Sequence, residues 1–377
     1  MQLFMAVRDL YILNGRPTGS IRISYGYMST QTDCDKLMSL LRNYFVEGEP
    51  NRPETADPNS TIQVVGVFVY PVKSCRGIKV SAWNMTKQGL EFDRQWVIME
   101  GSKVLTQKAD PLMAQIVPRI DWRRGVLILS FSGLKDIEVD LVLSEDRRKN
   151  RIAEDICIGK ICGEQMEGVS CGPEVANWLD TALGRQGLRL VRGLKRMSAR
   201  ESPSSTLAND SQILTLNISS ILRLQERIKE NCEKVGEDYT GFDDLDSLTD
   251  RFRGNLIIQG EISFGEEKWT TFSIQGKQGM VGKKEKKGRE GMKGKEREEK
   301  ENLYEDNSIK LKVLGPCRRC SMIRVEQSTG EMSKEPLRSL ATFRDRNFCF
   351  GVHTQVVDGG VGRIRVGDLV TNIQRST

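Results

Sequence analysis

Apolar and polar positions follow a period of two over several short stretches, and a period near 3.6 over others. Residues 62–70, 95–100, 126–132 and 137–143 read as short strands bounded by turn residues. Residues 174–183 place Val175, Trp178, Leu179 and Ala182 on one helical face, and residues 219–235 do the same with Ile221, Leu222, Leu224 and Ile228. Further along, residues 256–259, 309–314 and 321–325 read as strands, and 334–344 as a turn and a short helix. Helices interrupt the strands without alternating regularly with them. The pattern therefore predicts an α+β fold with a curled, barrel-like sheet and not a doubly wound one.

The ends of this pattern divide the chain. Residues 1–47 hold one alternating run, Ser20 to Gly26, and one periodic run carrying Leu37, Leu40, Leu41, Tyr44 and Phe45. One strand and one helix cannot close a core, so this piece reads as the tail of a larger domain. Residues 48–60, with Pro50, Pro53 and Pro58 among polar residues, have linker composition. Residues 276–306 are almost devoid of apolar side chains, and their mixed charge and glycine cannot offset the entropy of ordering, so they read as a flexible insertion between two strands.

Composition narrows the function classes. At 377 residues and 38% apolar content the chain can bury at least one substantial core. Its formal charge is +6, but residues 277–301 hold ten Lys and Arg against six Glu, and the rest of the chain carries only +2. Aromatic and basic residues are not interleaved, which argues against nucleic-acid binding. The nine cysteines form no regular framework, residues 1–14 carry charges within their apolar stretch, and no run of about eighteen apolar residues occurs. Reduced thiols, a cytoplasmic location and no membrane span are the expectation. The single histidine, His353, leaves little room for histidine-rich zinc chemistry.

Polar residues capable of chemistry stand at the ends of the predicted elements. Gly315-Pro316-Cys317-Arg318-Arg319-Cys320 sets two thiols beside two guanidiniums, neighbours that favour a thiolate. Tyr70-Pro71-Val72-Lys73-Ser74 ends a strand in a turn suited to an anion, Asp93-Arg94 begins another, Ser219-Ser220 opens a helix, and Arg253-Gly254-Asn255 leads into a third strand. Such a set suits an anionic, phosphate-bearing cofactor with a soft metal. Each member also has an ordinary reading, as a solvated strand end, a helix cap or a surface ion pair. Cys317 and Cys320 supply only two of the four ligands a structural zinc site needs.

In their order along the chain, the segments 69–77, 89–96, 251–255 and 315–320 resemble the MOSC domain with its β-barrel N-terminal portion, most nearly the C-terminal half of the eukaryotic molybdenum cofactor sulfurase family. The amidoxime-reducing molybdenum enzymes are more distant kin. The resemblance implies a β-barrel portion over 61–185 and a MOSC domain over 186–377. Residues 15–26 are similar to the end of that family's pyridoxal-phosphate-dependent, class V aminotransferase-like half, so 1–47 would be a remnant of it, with Arg22 as a substrate-carboxylate residue. The stretch bearing that half's Schiff-base lysine and persulfide-forming cysteine has no counterpart here.

Carried over by position, the resemblance implies that Cys320 is the thiolate next to molybdenum and that Cys317 is a nearby thiol of undefined role. It implies that Lys73, Ser74, Arg94, Ser220, Arg253 and Asn255 surround the pterin and its phosphate, with Thr106 a weaker candidate. The implied activity is sulfuration of the molybdenum cofactor, a sulfurtransferase reaction serving xanthine dehydrogenase and aldehyde oxidase, with this chain as the cofactor-holding and delivery half. Reduction of N-hydroxylated compounds, and a non-catalytic cofactor-binding module, are the alternatives.

Overall fold

The computed structural model describes residues 12–13, 16–17, 61–142, 156–161, 164–197, 207, 211–276, 308–344, 348–357 and 360–376. The expected aminotransferase-like remnant, apart from one two-residue pairing of Ile12–Leu13 with Arg16–Pro17, lies outside the described residues, as do the linker and nearly all of the charged insertion. Residues 1–55 and 56–377 form two separate units.

Within the second unit the strands close two barrels. The smaller joins Ile156–Ile161, Glu164–Ser170, Leu188–Met197, Trp96–Glu100 and Lys103–Val104, and a parallel bridge from Lys160 to Lys103 closes it. The larger runs Leu256–Gln259, Ile213–Asn217, Cys349–Val356, Ile309–Arg318, Trp269–Gln275, Leu369–Arg375 and Gln63–Val69, and the last of these pairs back onto the first. The mixed α+β fold with barrel-like sheets is thus present. The chain exchanges strands between the two halves. Gln63–Val69, early in the sequence, completes the larger barrel, while Leu188–Met197 pairs with Trp96–Glu100 in the smaller one.

Strand patterning follows burial. Along Ile309–Arg318, Ile309, Leu311 and Val313 point into the core while Lys310, Lys312 and Leu314 face outward, the period-two alternation of a sheet with one wet face. Ile213–Asn217 is buried at every position because helices cover its outer face. The longest of these, Ile218–Val235, is capped by the Asn217 carboxamide accepting from Ser219 N–H and ends at Gly236 in the left-handed region. It buries Ile221, Leu224, Ile228 and Cys232. Leu222, expected on that face, is exposed, because one residue turns a helix by about 100° and carries the side chain off the stripe.

Two expected elements near the cysteine cluster change form. The strand expected at 309–314 continues to Arg318, so Cys317 lies within it. Pro316 is tolerated because the register shifts between Pro316 and Arg318. The strand expected at 321–325 is instead one 3₁₀ turn, Ser321–Arg324, which tucks Ile323 under the barrel end. The pairing with Cys349–Val356 ends at Arg318, and beyond it this short apolar run makes a single bridge, Val325 to Met332, too little to extend a strand.

Candidate functional site

The turn at Pro71 to Ser74, the loop before Trp96, the segment Arg251 to Asn255 and the cysteine cluster converge on one open cavity of about 150 Å³. Its wall includes Lys73, Ser74, Arg94, Arg253, Asn255, Cys317 and Cys320, seven of the eight residues expected there. Their convergence follows from barrel closure. The strands Leu256–Gln259 and Gln63–Val69 pair side by side, which brings their flanking loops to one end, and Phe68 N–H donates to Asn255 O.

Three of these residues hold the left-handed backbone: Ser74 at φ 67°, Arg94 at φ 48° and Arg253 at φ 53°. Such conformations are costly for residues with a Cβ and gather where a structure aims particular side chains. Here they aim two guanidiniums at one aromatic ring: Arg94 and Arg253 each lie 4.5 Å from the centre of the Tyr70 ring.

A hydrogen-bonded network holds Arg94. Its Nη1 donates to Asp93 Oδ2 and, at 2.7 Å, to Asn255 Oδ1, and its Nη2 donates to Arg253 O at 3.2 Å. Asn255 spends its whole carboxamide on this frame: Oδ1 also accepts from Leu214 N–H, and Nδ2 donates to Phe68 O and Asp93 Oδ1. Asn255 therefore sets the wall, while the arginines supply the charge.

Charge in the cavity is one-sided. Lys73, Arg94, Arg251, Arg253, Arg318 and Arg319 line it, and among the described residues no carboxylate does. Arg251 is answered by Glu326 and Arg94 by Asp93 outside the lining. Burial, reinforced by the nearby Arg94 charge, pushes the Arg253 guanidinium down to about 10, partly offset by Tyr70. Three polar atoms of the lining residues are buried with no hydrogen-bond partner, Ser74 Oγ, Arg251 Nε and Arg319 Nε. A cavity with surplus positive charge and unsatisfied donors fits a polyanionic ligand.

The thiols differ. Cys320 is exposed at the start of the 3₁₀ turn. Cys317 is buried in the wall, 7% exposed, with Arg319 Nη1 donating to its Sγ at 3.0 Å. Burial raises its pKa, but the Arg319 charge and hydrogen bonds from His353 and Arg319 more than offset this and bring it to about 7. His353 is placed by register, opposite Gly315 on one side and Leu214 on the other, and its Nδ1 lies 2.8 Å from Ser211 Oγ. No cluster of three or more His, Cys, Asp and Glu capable of holding a metal ion occurs among the described residues.

Ser220, expected with the others, is not in this lining. Its hydroxyl donates to Glu266 and accepts from Phe264 N–H at 2.8 Å, a closed arrangement at the start of the helix Ile218–Val235. Thr106 likewise does not line the cavity. Sequence reasoning passed over Arg319, His353 and Ser211 as members of the wall. The guanidinium was visible in the cysteine cluster, whereas the other two arrive only through cross-strand register.

Two barrels and a basic, thiol-bearing cavity at their meeting loops define the class. Residues 61–186 match the MOSC N-terminal beta barrel domain and residues 289–371 match the MOSC domain. The chain belongs to the MOSC-domain proteins. More particularly, it is similar along nearly its whole length to proteins named molybdenum cofactor sulfurase. It is 33% identical to the one from Drosophila willistoni (92% of this chain, 40% of the relative). It is 30% identical to the one from Bombyx mori (93% and 43%) and 26% identical to the one from Bos taurus (92% and 44%). The chain thus spans less than half the length of these relatives.

Proposed function

We propose that this chain binds the molybdenum cofactor and acts as the cofactor-holding and delivery half of a sulfuration reaction. The observation that carries this reading is the cavity itself, with six cationic side chains, no lining carboxylate among the described residues, three orphaned buried polar atoms and an exposed thiol on one wall. A pterin phosphate is a dianion at neutral pH, and charge-assisted hydrogen bonds from Lys73, Arg94 and Arg253 are the strongest a protein can offer it. Ser74 Oγ supplies one further donor from a buried position. A soft thiolate is the fitting protein ligand for molybdenum, and Cys320 is the accessible one. Asn255 and Asp93 act by holding Arg94. The molybdenum cofactor is the cargo, a metal centre able to exchange an oxo group for sulfur.

Domains spanning 61–185 and 186–377 form the cofactor-holding part on this reading, and residues 1–47 belong to a pyridoxal-phosphate-dependent, sulfur-mobilising half. The recipients would be xanthine dehydrogenase and aldehyde oxidase in the cytoplasm. Among the described residues, no helix is long and apolar enough to cross a membrane.

Cofactor loading tests the reading. Purified chain incubated with molybdenum cofactor and desalted should retain molybdenum by elemental analysis and pterin by fluorescence in equal amounts. Cys320→Ser should keep most of the pterin while losing the metal. Wild-type chain that retains neither would sink the proposal.

A further inference from the structure

Arg94 and Arg253 share one tyrosine ring, yet their partners differ in charge. Arg94 is answered by the Asp93 carboxylate, whereas Arg253, 8% exposed, forms no ion pair among the described residues. Its Nη1 donates instead to the neutral carboxamide of Gln327, at Oε1, over 3.1 Å. A buried guanidinium without a counter-ion is costly, so a fold that keeps one in a cavity wall has left that charge for something else. Gln327 is buried and its orientation is fixed. Its Oε1 also accepts from Gln107 Nε2 at 3.0 Å, while its Nε2 donates to Gln107 Oε1 at 3.3 Å and to Val325 O at 3.1 Å. A carbonyl only accepts, so Val325 O takes the amide nitrogen and turns the oxygen toward Arg253. Gln107 is fully buried and reaches in from the N-terminal barrel portion, 220 positions from Gln327. The backbone carrying Gln327 is itself tethered, by Arg251 to Glu326 and by Arg76 to the Gln327 carbonyl. Neither glutamine lines the cavity, so each acts on it through Arg253.

We propose that Gln327, locked by Gln107, is the positioning residue of Arg253, and that its neutrality leaves the guanidinium's whole charge for a phosphate group of the ligand. This inference rests on the reading that the cavity takes a phosphate-bearing cofactor. A carboxylate at 327 would hold the same nitrogen more tightly but cancel the charge. An apolar side chain would leave the charge while releasing the nitrogen, and with it the direction in which the fork points. The carboxamide alone gives orientation without neutralisation. Of the two guanidiniums on Tyr70, Arg94 is then the one paired into the frame and Arg253 the one presented to the anion.

The test uses the full chain and two probes, inorganic phosphate followed by titration calorimetry and the molybdenum cofactor followed by pterin retention. At pH 8, Gln327→Glu should weaken phosphate binding at least roughly tenfold, and Gln327→Met and Gln107→Leu should each weaken it severalfold. The alkaline limb of binding separates positioning from packing. Burial brings the Arg253 guanidinium down to about 10, and the titratable and charged groups facing it are Tyr70, Asp93, Arg94 and Cys75, with Lys73 and Arg251 on the same wall, all common to wild type and variants. Gln327→Glu should move the limb to higher pH, because a carboxylate favours the charged guanidinium, and Gln327→Met should move it to lower pH, because an acceptor is lost. A merely structural role would not shift it in opposite directions. Phosphate affinity of Gln327→Glu within about twofold of wild type, or limbs that move the same way in both variants, overturns the proposal. The two readings fail separately. Variants with wild-type phosphate affinity in a chain that retains pterin remove this inference alone. Variants that behave as expected in a chain that retains no pterin remove the cofactor reading and keep Gln327 as the positioning residue of an anion site, and a wild-type chain that binds neither probe removes both.

Discussion

Two buried polar clusters sit on the same fold and differ in how completely they answer themselves. Around Glu266, Asn217 Nδ2 and Ser220 Oγ both donate to the carboxyl group, Ser220 Oγ accepts from Phe264 N–H, and Asn217 Oδ1 accepts from Ser219 N–H. At the cavity, six cationic side chains face no lining carboxylate among the described residues, and Ser74 Oγ, Arg251 Nε and Arg319 Nε are buried with no hydrogen-bond partner. A closed cluster stabilises the fold that contains it, whereas a surplus of donors in one place stores capacity for a ligand. Both contain serine at an element boundary, so residue type alone does not separate them.

The largest expected effect breaks the frame on which the cavity depends. Arg94→Met leaves the Asp93 carboxylate buried without its guanidinium, and denaturant unfolding should show a loss of about 3–5 kcal/mol along with loss of pterin retention. A loss under about 1 kcal/mol would mean the pair is dispensable to the fold.

The closed cluster offers a pH test. Burial, against the pull of Asn217, raises the Glu266 carboxyl from its ordinary 4.5 to about 7. The folded state then holds this proton more tightly than the unfolded chain, so the contribution is fully present below pH 4.5 and lost as pH rises through 7. Glu266→Gln should abolish that slope and stabilise the chain by roughly 2–3 kcal/mol at pH 8 with little change at pH 4. Melting curves at the two pH values decide it. An equal shift at both would assign the effect to packing.

A smaller change separates the two serines. Ser220→Ala removes a donor to Glu266 and should cost about 1–2 kcal/mol in urea unfolding while leaving pterin retention unchanged. A fall in retention would return Ser220 to the proposed cofactor site. Ser74→Ala should do the reverse: it gives up no protein hydrogen bond, so stability should move by less than about 0.5 kcal/mol while pterin retention drops severalfold. Unchanged retention would leave the orphaned hydroxyl without a ligand role.

Much of this contrast was legible before any coordinates. Lys73, Ser74, Arg94, Arg253 and the cysteine pair stand at element ends beside Pro, Gly or an apolar run, and those local signals survive in the structure. Ser220 carried the same signal and belongs elsewhere, because a helix start places its hydroxyl wherever the neighbouring loop closes, here against Phe264 and Glu266. His353 carried no signal. It is one position in a buried strand, and only its pairing with Leu214 and Gly315 brings the ring to Ser211 and Cys317.

Local pattern determined that the chain is strand-rich with interrupting helices, that its charge is concentrated in one insertion, and that basic groups and thiols cap its strands. Those properties depend on neighbours a few residues apart, which sequence spacing records directly. Tertiary structure alone decided which strands close which barrel, that Gln63–Val69 completes the larger one, and that Cys317 rather than Cys320 faces Arg319 and His353. The pairing of Gln63–Val69 with Leu256–Gln259 joins residues more than a hundred positions apart, where burial and ladder pairing, summed over the whole fold, select the partner.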